Sequence, residues 1–193
     1  MAARINGITG TYTVPNVNRI KYKFSAFDGP TIEYTEQAPN GQPIRKSVNT
    51  KRLIEDAWRF AAERAAGQKA CNDYFRTLPR KKTLREVLDE GAITFHCLVP
   101  KANYTFDDLP EACTAGRDIG FNPMVLIQNQ AGLAGTLIHE LAHVAGASTN
   151  PDASDARSIA AETALLHCGC RQQFRKEAIG SIGFPSPEGS RMA

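Results

Sequence analysis

The sequence lacks the features that define several common protein classes. Its most apolar-leaning stretch, residues 131–147, is interrupted by three glycines, two histidines and a glutamate, so it cannot span a membrane. The first ten residues are polar and contain glycine, without the basic segment and apolar core of a secretory signal. We therefore expect synthesis in the cytoplasm, which leaves open export by a route that needs no cleavable signal.

The sequence also lacks a strong concentration of charge and a cysteine count that would allow every cysteine to form a disulfide. The net charge is only +3, and the one run of three basic residues, 80–82, is typical of a solvated loop, so we expect no nucleic-acid partner. Five cysteines cannot all pair, and Cys168 and Cys170 would lie on different faces of a predicted helix. Buried thiols are expected. A disulfide between Cys97 and Cys113 is the alternative for an oxidising compartment.

The remaining composition suits a globular chain of 193 residues, with 42% hydrophobic residues to build a core. We expect a β-rich N-terminal segment over 1–50, a main domain over 51–179 and a flexible tail over 180–193. Alternating apolar and polar residues over 8–35 predict two or three short antiparallel strands. Residues 36–50 are predicted to form a polar loop.

Helices and strands are both predicted in the main domain, which indicates an α+β fold. The predicted helices cover 51–78, 84–90, 133–145 and 153–177, and the predicted strands cover 93–99 and 119–127, with a loop over 100–117. We expect a small, twisted, mostly antiparallel sheet that packs on helix 133–145. The strand at 119–127 is the candidate edge for binding an extended peptide.

The candidate site lies in the run His139-Glu140-Leu141-Ala142-His143. Residues four apart on a helix lie on the same face, so His139 and His143 can point a ring nitrogen at one ion. Glu140 can then accept a proton from a water bound to that ion. The residues around the motif are apolar, and polar groups on a core helix are costly unless they are paired or bind a metal. The motif predicts one zinc ion per chain.

A third ligand has to come from elsewhere in the chain. Glu162 is the first choice, because it lies on the apolar stripe of the last predicted helix, where an ionised carboxylate needs a cation. Asp152 and Asp155 are the alternatives, although helix capping would explain them without a metal. Structural roles are expected for His96 and His167.

The motif, followed by a glutamate on a later helix, resembles the gluzincin metallopeptidases, and the gap of eighteen residues looks like their aminopeptidase branch. This resemblance implies a zincin-like fold with Glu162 as the third zinc ligand. The chain departs from the pattern at Leu166, where many gluzincins carry an aspartate that orients a ligand histidine. Gly146 looks like the metzincin glycine, but Thr149 stands at the position of the metzincin third ligand.

A closer resemblance is to metallopeptidase toxin modules of bacterial polymorphic toxins and type VI secretion effectors, over about residues 68–175. It rests on 136–147 together with Ala160-Ala161-Glu162, Cys168-Gly169 and the upstream Ala70-Cys71-Asn72. The resemblance implies an effector delivered into the periplasm or cytoplasm of another cell. It also implies a protein or peptide substrate, and an immunity protein or a component of a secretion apparatus as partner.

The expected function is therefore that of a zinc-dependent metallopeptidase. Two alternatives belong to other classes: a zinc hydrolase that acts on peptidoglycan peptides, and a zincin-like binding module without catalysis. Glu140 argues against the binding module, because a protein that only binds has no need of a general base.

Overall fold

The computed structural model describes residues 5–6, 21–25, 31–91, 93–128, 132–148 and 159–170. The predicted strand residues before Tyr22, the predicted helix at 153–158 and 171–177, and the predicted tail lie outside these ranges. The α+β class is confirmed, since helices combine with a small sheet. Within the described ranges, no helix is both long enough and apolar enough to cross a bilayer.

The larger sheet is built around β5, its central strand. Its strands are β1 (Ile5–Asn6), β2 (Tyr22–Ser25), β5 (Ile93–Pro100), β6 (Ala112–Ala115) and β7 (Asp118–Phe121). One edge of β5 pairs with β1 in parallel and with β2 in antiparallel orientation. The other edge pairs with β7 in parallel, and β6 follows antiparallel to β7. The sheet is therefore mixed, whereas the sequence predicted a mostly antiparallel one.

A second, two-stranded sheet extends from the region where strands were predicted into residues 36–50, which were predicted as a polar loop. Strands β3 (Thr31–Gln37) and β4 (Pro43–Asn49) pair antiparallel along their whole length. Only Val48 of β4 is buried. The strand thus lacks the alternation of buried and exposed residues by which a strand is usually detected.

The helices follow the predicted order with different boundaries, apart from one helix that falls in a predicted strand. They are α1 (Thr50–Arg59), α2 (Lys69–Thr77), α3 (Leu84–Asp89), α4 (Pro123–Gln128), α5 (Leu133–Val144) and α6 (Ala160–His167). The single helix predicted over 51–78 is divided by a π-helical turn, Phe60–Arg64, and a 3-10 turn, Ala65–Gly67. Helix α6 ends at His167, because Gly169 adopts a φ of 84°, so its predicted extension through 168–170 is wrong.

The strand predicted over 119–127 is wrong in its second half. Strand β7 ends at Phe121, and α4 begins at Pro123, where proline suits the first turn of a helix. The Asn122 side chain accepts a hydrogen bond from the Met124 N–H at 3.0 Å. Strand β7 lies between β5 and β6, so it is not the free edge that was predicted; in the described part of the chain, β6 is the terminal strand on that side.

The main core lies between one face of the larger sheet and the helices. Phe95, Ile119 and Phe121 contribute from the strands. Leu137, Ile138 and Leu141 of α5 are fully buried among them. Helix α5 also packs against α1 and α6. The helix that carries the His-Glu-His motif is therefore the central helix of the fold.

Candidate metal centre

Helix α5 ends in a turn that depends on Gly146. This glycine has a φ of 98°. The Gly146 N–H donates to the His143 carbonyl at 2.9 Å, and the Ala147 N–H donates to the Ala142 carbonyl at 2.9 Å. These two bonds define a Schellman motif, which satisfies carbonyls at the helix end. A Cβ at position 146 would also lie 3.1 Å from the Cβ of Pro79.

The same turn orients one of the motif histidines. The Nδ1 of His143 lies 3.1 Å from the Ala147 carbonyl oxygen, which can only accept a hydrogen bond. The proton of the neutral ring is therefore on Nδ1, and the lone pair is on Nε2. A backbone carbonyl that holds a ring in this way is typical of metal-ligating histidines.

The two motif histidines meet at their Nε2 atoms. The Nε2 of His139 lies 3.0 Å from the Nε2 of His143, and the ring planes are inclined by 73°. Burial, followed by the neighbouring His143, lowers the pKa of His139 to about 3. The ring is neutral at physiological pH, which is the form that binds a metal.

Glu140 completes a compact group of ligand atoms. One donor atom each from His139, Glu140 and His143 all lie within 4.8 Å of one another. The Glu140 side chain is only 3% exposed. The Thr114 hydroxyl, on β6, lies 2.5 Å from Glu140 Oε2 and 3.2 Å from the Glu140 carbonyl oxygen. A strand of the sheet thus holds the carboxylate of the motif.

Glu162 lies on α6, which packs against α5, but it is not a member of this group. Its Oε2 has no accessible surface and no hydrogen-bond partner among the described residues. Burial raises the pKa of the Glu162 carboxyl. The alternatives Asp152 and Asp155, and Thr149, lie outside the described residues.

The other two histidines occupy different surroundings. His96 is 1% exposed, and its Nε2 lies 2.8 Å from Asp118 Oδ1. His167 stacks on the Tyr74 ring, with the ring centroids 4.6 Å apart. Neither belongs to the group of ligand atoms around α5.

Two features of the site region were missed by sequence reasoning. Thr114 falls in the segment that was predicted as a loop, and no local pattern points to its contact with Glu140. A disulfide joins Cys71 of α2 to Cys168 at the end of α6, whereas buried thiols were expected. Cys97 and Cys113, the alternative pair, are not joined by a disulfide. The chain matches no family model, and no curated protein or solved structure is detectably similar to it.

Proposed function

We propose that the chain is a zinc-dependent metallopeptidase, which hydrolyses peptide bonds with a zinc-activated water. One observation carries this proposal: the Nε2 atoms of His139 and His143 meet at 3.0 Å beside the Glu140 carboxylate, on a core helix. A bound cation would stabilise two imidazole nitrogens that face each other next to a buried carboxylate.

The donor atoms fit zinc in type and spacing. Zinc binds imidazole nitrogen at about 2.0–2.1 Å with near-tetrahedral angles, which places two nitrogen ligands about 3.3 Å apart. The observed Nε2–Nε2 distance of 3.0 Å is close to that value. Two histidines and one glutamate form a known ligand set of catalytic zinc sites, in which a fourth position stays open for water.

Glu162 is the proposed third ligand. It comes from the helix packed directly against α5, and its buried Oε2 lacks a hydrogen-bond partner within the described ranges. A buried carboxylate oxygen in this state is stabilised by a cation. With Glu162 as ligand, Glu140 stays available as the general base.

Each residue of the site then has a defined task. When bound, zinc polarises the scissile carbonyl and lowers the pKa of a coordinated water to about 7. Glu140 would serve as the general base, taking up a proton from the attacking water and releasing it to the leaving amine. The Thr114 hydroxyl holds the Glu140 carboxylate in place from β6.

We further propose that the peptidase acts as a delivered antibacterial effector. The resemblance of the motif region to bacterial toxin modules supports this role. The Cys71–Cys168 disulfide supports it as well, because disulfides persist in oxidising compartments such as the bacterial periplasm. A periplasmic target would be a protein or the peptides of peptidoglycan.

Elemental analysis and a hydrolysis assay together test the peptidase proposal. We expect about one zinc per chain after zinc loading, and its loss in His139→Ala and His143→Ala. Glu140→Gln should keep the zinc and the fold but stop cleavage of quenched fluorescent peptides, since only the base is removed. Glu63→Gln, which changes an exposed glutamate of the π-helical turn, is the matched control and should keep both. If the wild-type chain contained no zinc after treatment with zinc, the proposal would be refuted.

A zinc titration tests the third ligand separately. Glu162→Ala should weaken zinc binding sharply, because a direct ligand is lost. Asp152→Ala and Asp155→Ala should keep the metal and lose at most a helix cap, about 1 kcal/mol. If either aspartate variant lost the metal while Glu162→Ala retained it, the site would be an Asp-ligated one.

A further inference from the structure

Helix α2 holds α6 at both of its ends. At the N-terminal end, the Tyr74 hydroxyl donates to the Ala160 carbonyl at 2.7 Å. At the C-terminal end, the disulfide joins Cys71 to Cys168, with 4.5 Å between their Cα atoms. Glu162 lies between these two attachments, in the first turn of α6.

Helix α6 is short, and it packs against α5 as well as α2. It contains eight residues, and isolated helices shorter than about 12 residues are marginal in water. Its fully buried side chains are Ala161, Ala164 and Leu165, two of which are alanines with little apolar surface. The two attachments to α2 therefore supplement the packing against α5 in fixing the position of the helix.

The disulfide also encloses the whole proposed metal site. Cys71 and Cys168 are 97 residues apart, and the segment between them contains both motif histidines, Glu140 and Glu162. Both cysteines are fully buried, so the bond is protected once the chain has folded around it. The redox state at the time of folding then decides which form of the protein exists.

We propose that the Cys71–Cys168 disulfide makes zinc retention conditional on oxidation, because it helps to hold α6, the helix that carries the proposed ligand Glu162. This inference rests on the proposed zinc site. Reduction by a dithiol turns the S–S bond into two thiols while the dithiol becomes a disulfide, and α6 then loses its covalent attachment. A chain made in a reducing compartment would bind zinc weakly. Its zinc affinity would rise only after the disulfide had formed.

The zinc dissociation constant, measured by competition with a chromophoric chelator, tests this proposal on the full chain. We expect zinc affinity to be at least tenfold lower in a chain refolded in the presence of a phosphine than in the oxidised chain, in line with the 10–100-fold losses that follow removal of groups supporting a ligand. The double variant Cys71→Ala/Cys168→Ala should show the same loss without reductant. Cys97→Ala and Cys113→Ala, which change cysteines outside the disulfide, should match the wild type.

A double-mutant cycle tests whether the effect passes through Glu162. In Glu162→Gln, zinc affinity should be low in both redox states, because the group that the disulfide positions is already removed. An undiminished redox effect in this variant would overturn the proposal. Equal zinc affinity of the oxidised and reduced wild type would also overturn it and leave the zinc site standing. Absence of zinc binding in both states would instead refute the proposed function itself.

The far-UV circular dichroism of each form shows whether the reduced chain stays folded. If it unfolds, the oxidised Tyr74→Phe variant decides the question, since it removes the other attachment of α6 and leaves the disulfide intact. We expect its zinc affinity to fall several-fold. An unchanged affinity would show that attachment to α2 does not position Glu162.

Discussion

Replacing Thr114 by valine tests whether the Thr114 hydroxyl positions Glu140, the proposed general base. Valine has nearly the shape of threonine but cannot donate a hydrogen bond. In the structure, the Thr114 hydroxyl lies 2.5 Å from Glu140 Oε2. The Glu140 side chain is 3% exposed, so bulk water cannot readily replace the lost donor. The carboxylate would lose a fixed partner on β6.

The expected loss follows from the strength of a hydrogen bond to a charged group. Such a bond contributes about 1.5–3 kcal/mol. If loss of this bond raises the free energy of the transition state by the full amount, kcat/KM falls by roughly 10- to 150-fold, since each 1.36 kcal/mol is a factor of ten. We also expect the free energy of unfolding of the zinc-free chain to fall by up to about 3 kcal/mol, because a buried carboxylate loses its partner.

The assay compares Thr114→Val with Thr114→Ser, which keeps the hydroxyl. Zinc content, kcat and KM on a quenched fluorescent peptide, and urea unfolding are measured for each variant. Valine should lower kcat with little change in KM or in zinc content, and serine should restore most of the rate. Wild-type turnover in the valine variant, or equal damage by serine, would refute a positioning role for the hydroxyl.

Three further predictions concern stability. Gly120→Ala should lower the free energy of unfolding in urea by about 1–3 kcal/mol, because the new Cβ would lie 2.5 Å from Leu98 Cδ2 and 2.8 Å from Phe24 Cε1; an unchanged midpoint would contradict the close packing. Thr83→Ala removes the capping box with Glu86 and should cost about 1 kcal/mol, visible as a lower Tm. Zinc at 100 times its Kd should stabilise the chain by about 2.7 kcal/mol, and a chelator should abolish that gain. Equal thermal unfolding with and without zinc would contradict it.

Local signals were sufficient to predict several helix ends. Asn49 accepts a hydrogen bond from the Arg52 N–H, and Thr83 forms the capping box that its spacing to Glu86 indicates. The helix of the motif begins at Leu133 as predicted. These features depend on residues within one helical turn of one another, so a single sequence contains the necessary information.

The region after Phe121 shows where such local reasoning fails. The apolar run Met124–Ile127 is compatible with a buried strand or a buried helix, since periodicity alone does not separate them over so short a run. Asn122 and Pro123 were the better signal, because an Asn cap followed by proline is typical of a helix start. In β4, by contrast, pairing with β3 makes the strand, and its mostly exposed side chains leave no pattern to detect.

Contacts between distant residues were beyond sequence reasoning. Thr114 and Glu140 are separated by 26 positions, and Cys71 and Cys168 by 97. Cysteine spacing does not determine which thiols pair, since the pairing depends on how the chain folds. The histidine pair could be predicted because its geometry is that of one helix, whereas its supports come from β6 and α2.

The turn at Gly146 links helix termination to the orientation of a proposed zinc ligand. The left-handed conformation of this residue allows the chain to reverse, and the reversal brings the Ala147 carbonyl to His143 Nδ1. A side chain at position 146 would strain the turn and also release that ring, so a change that looks like a loss of stability would disturb a proposed ligand as well. Transplanting the five-residue motif to a designed helix would therefore require Gly146 and Ala147 to be carried with it.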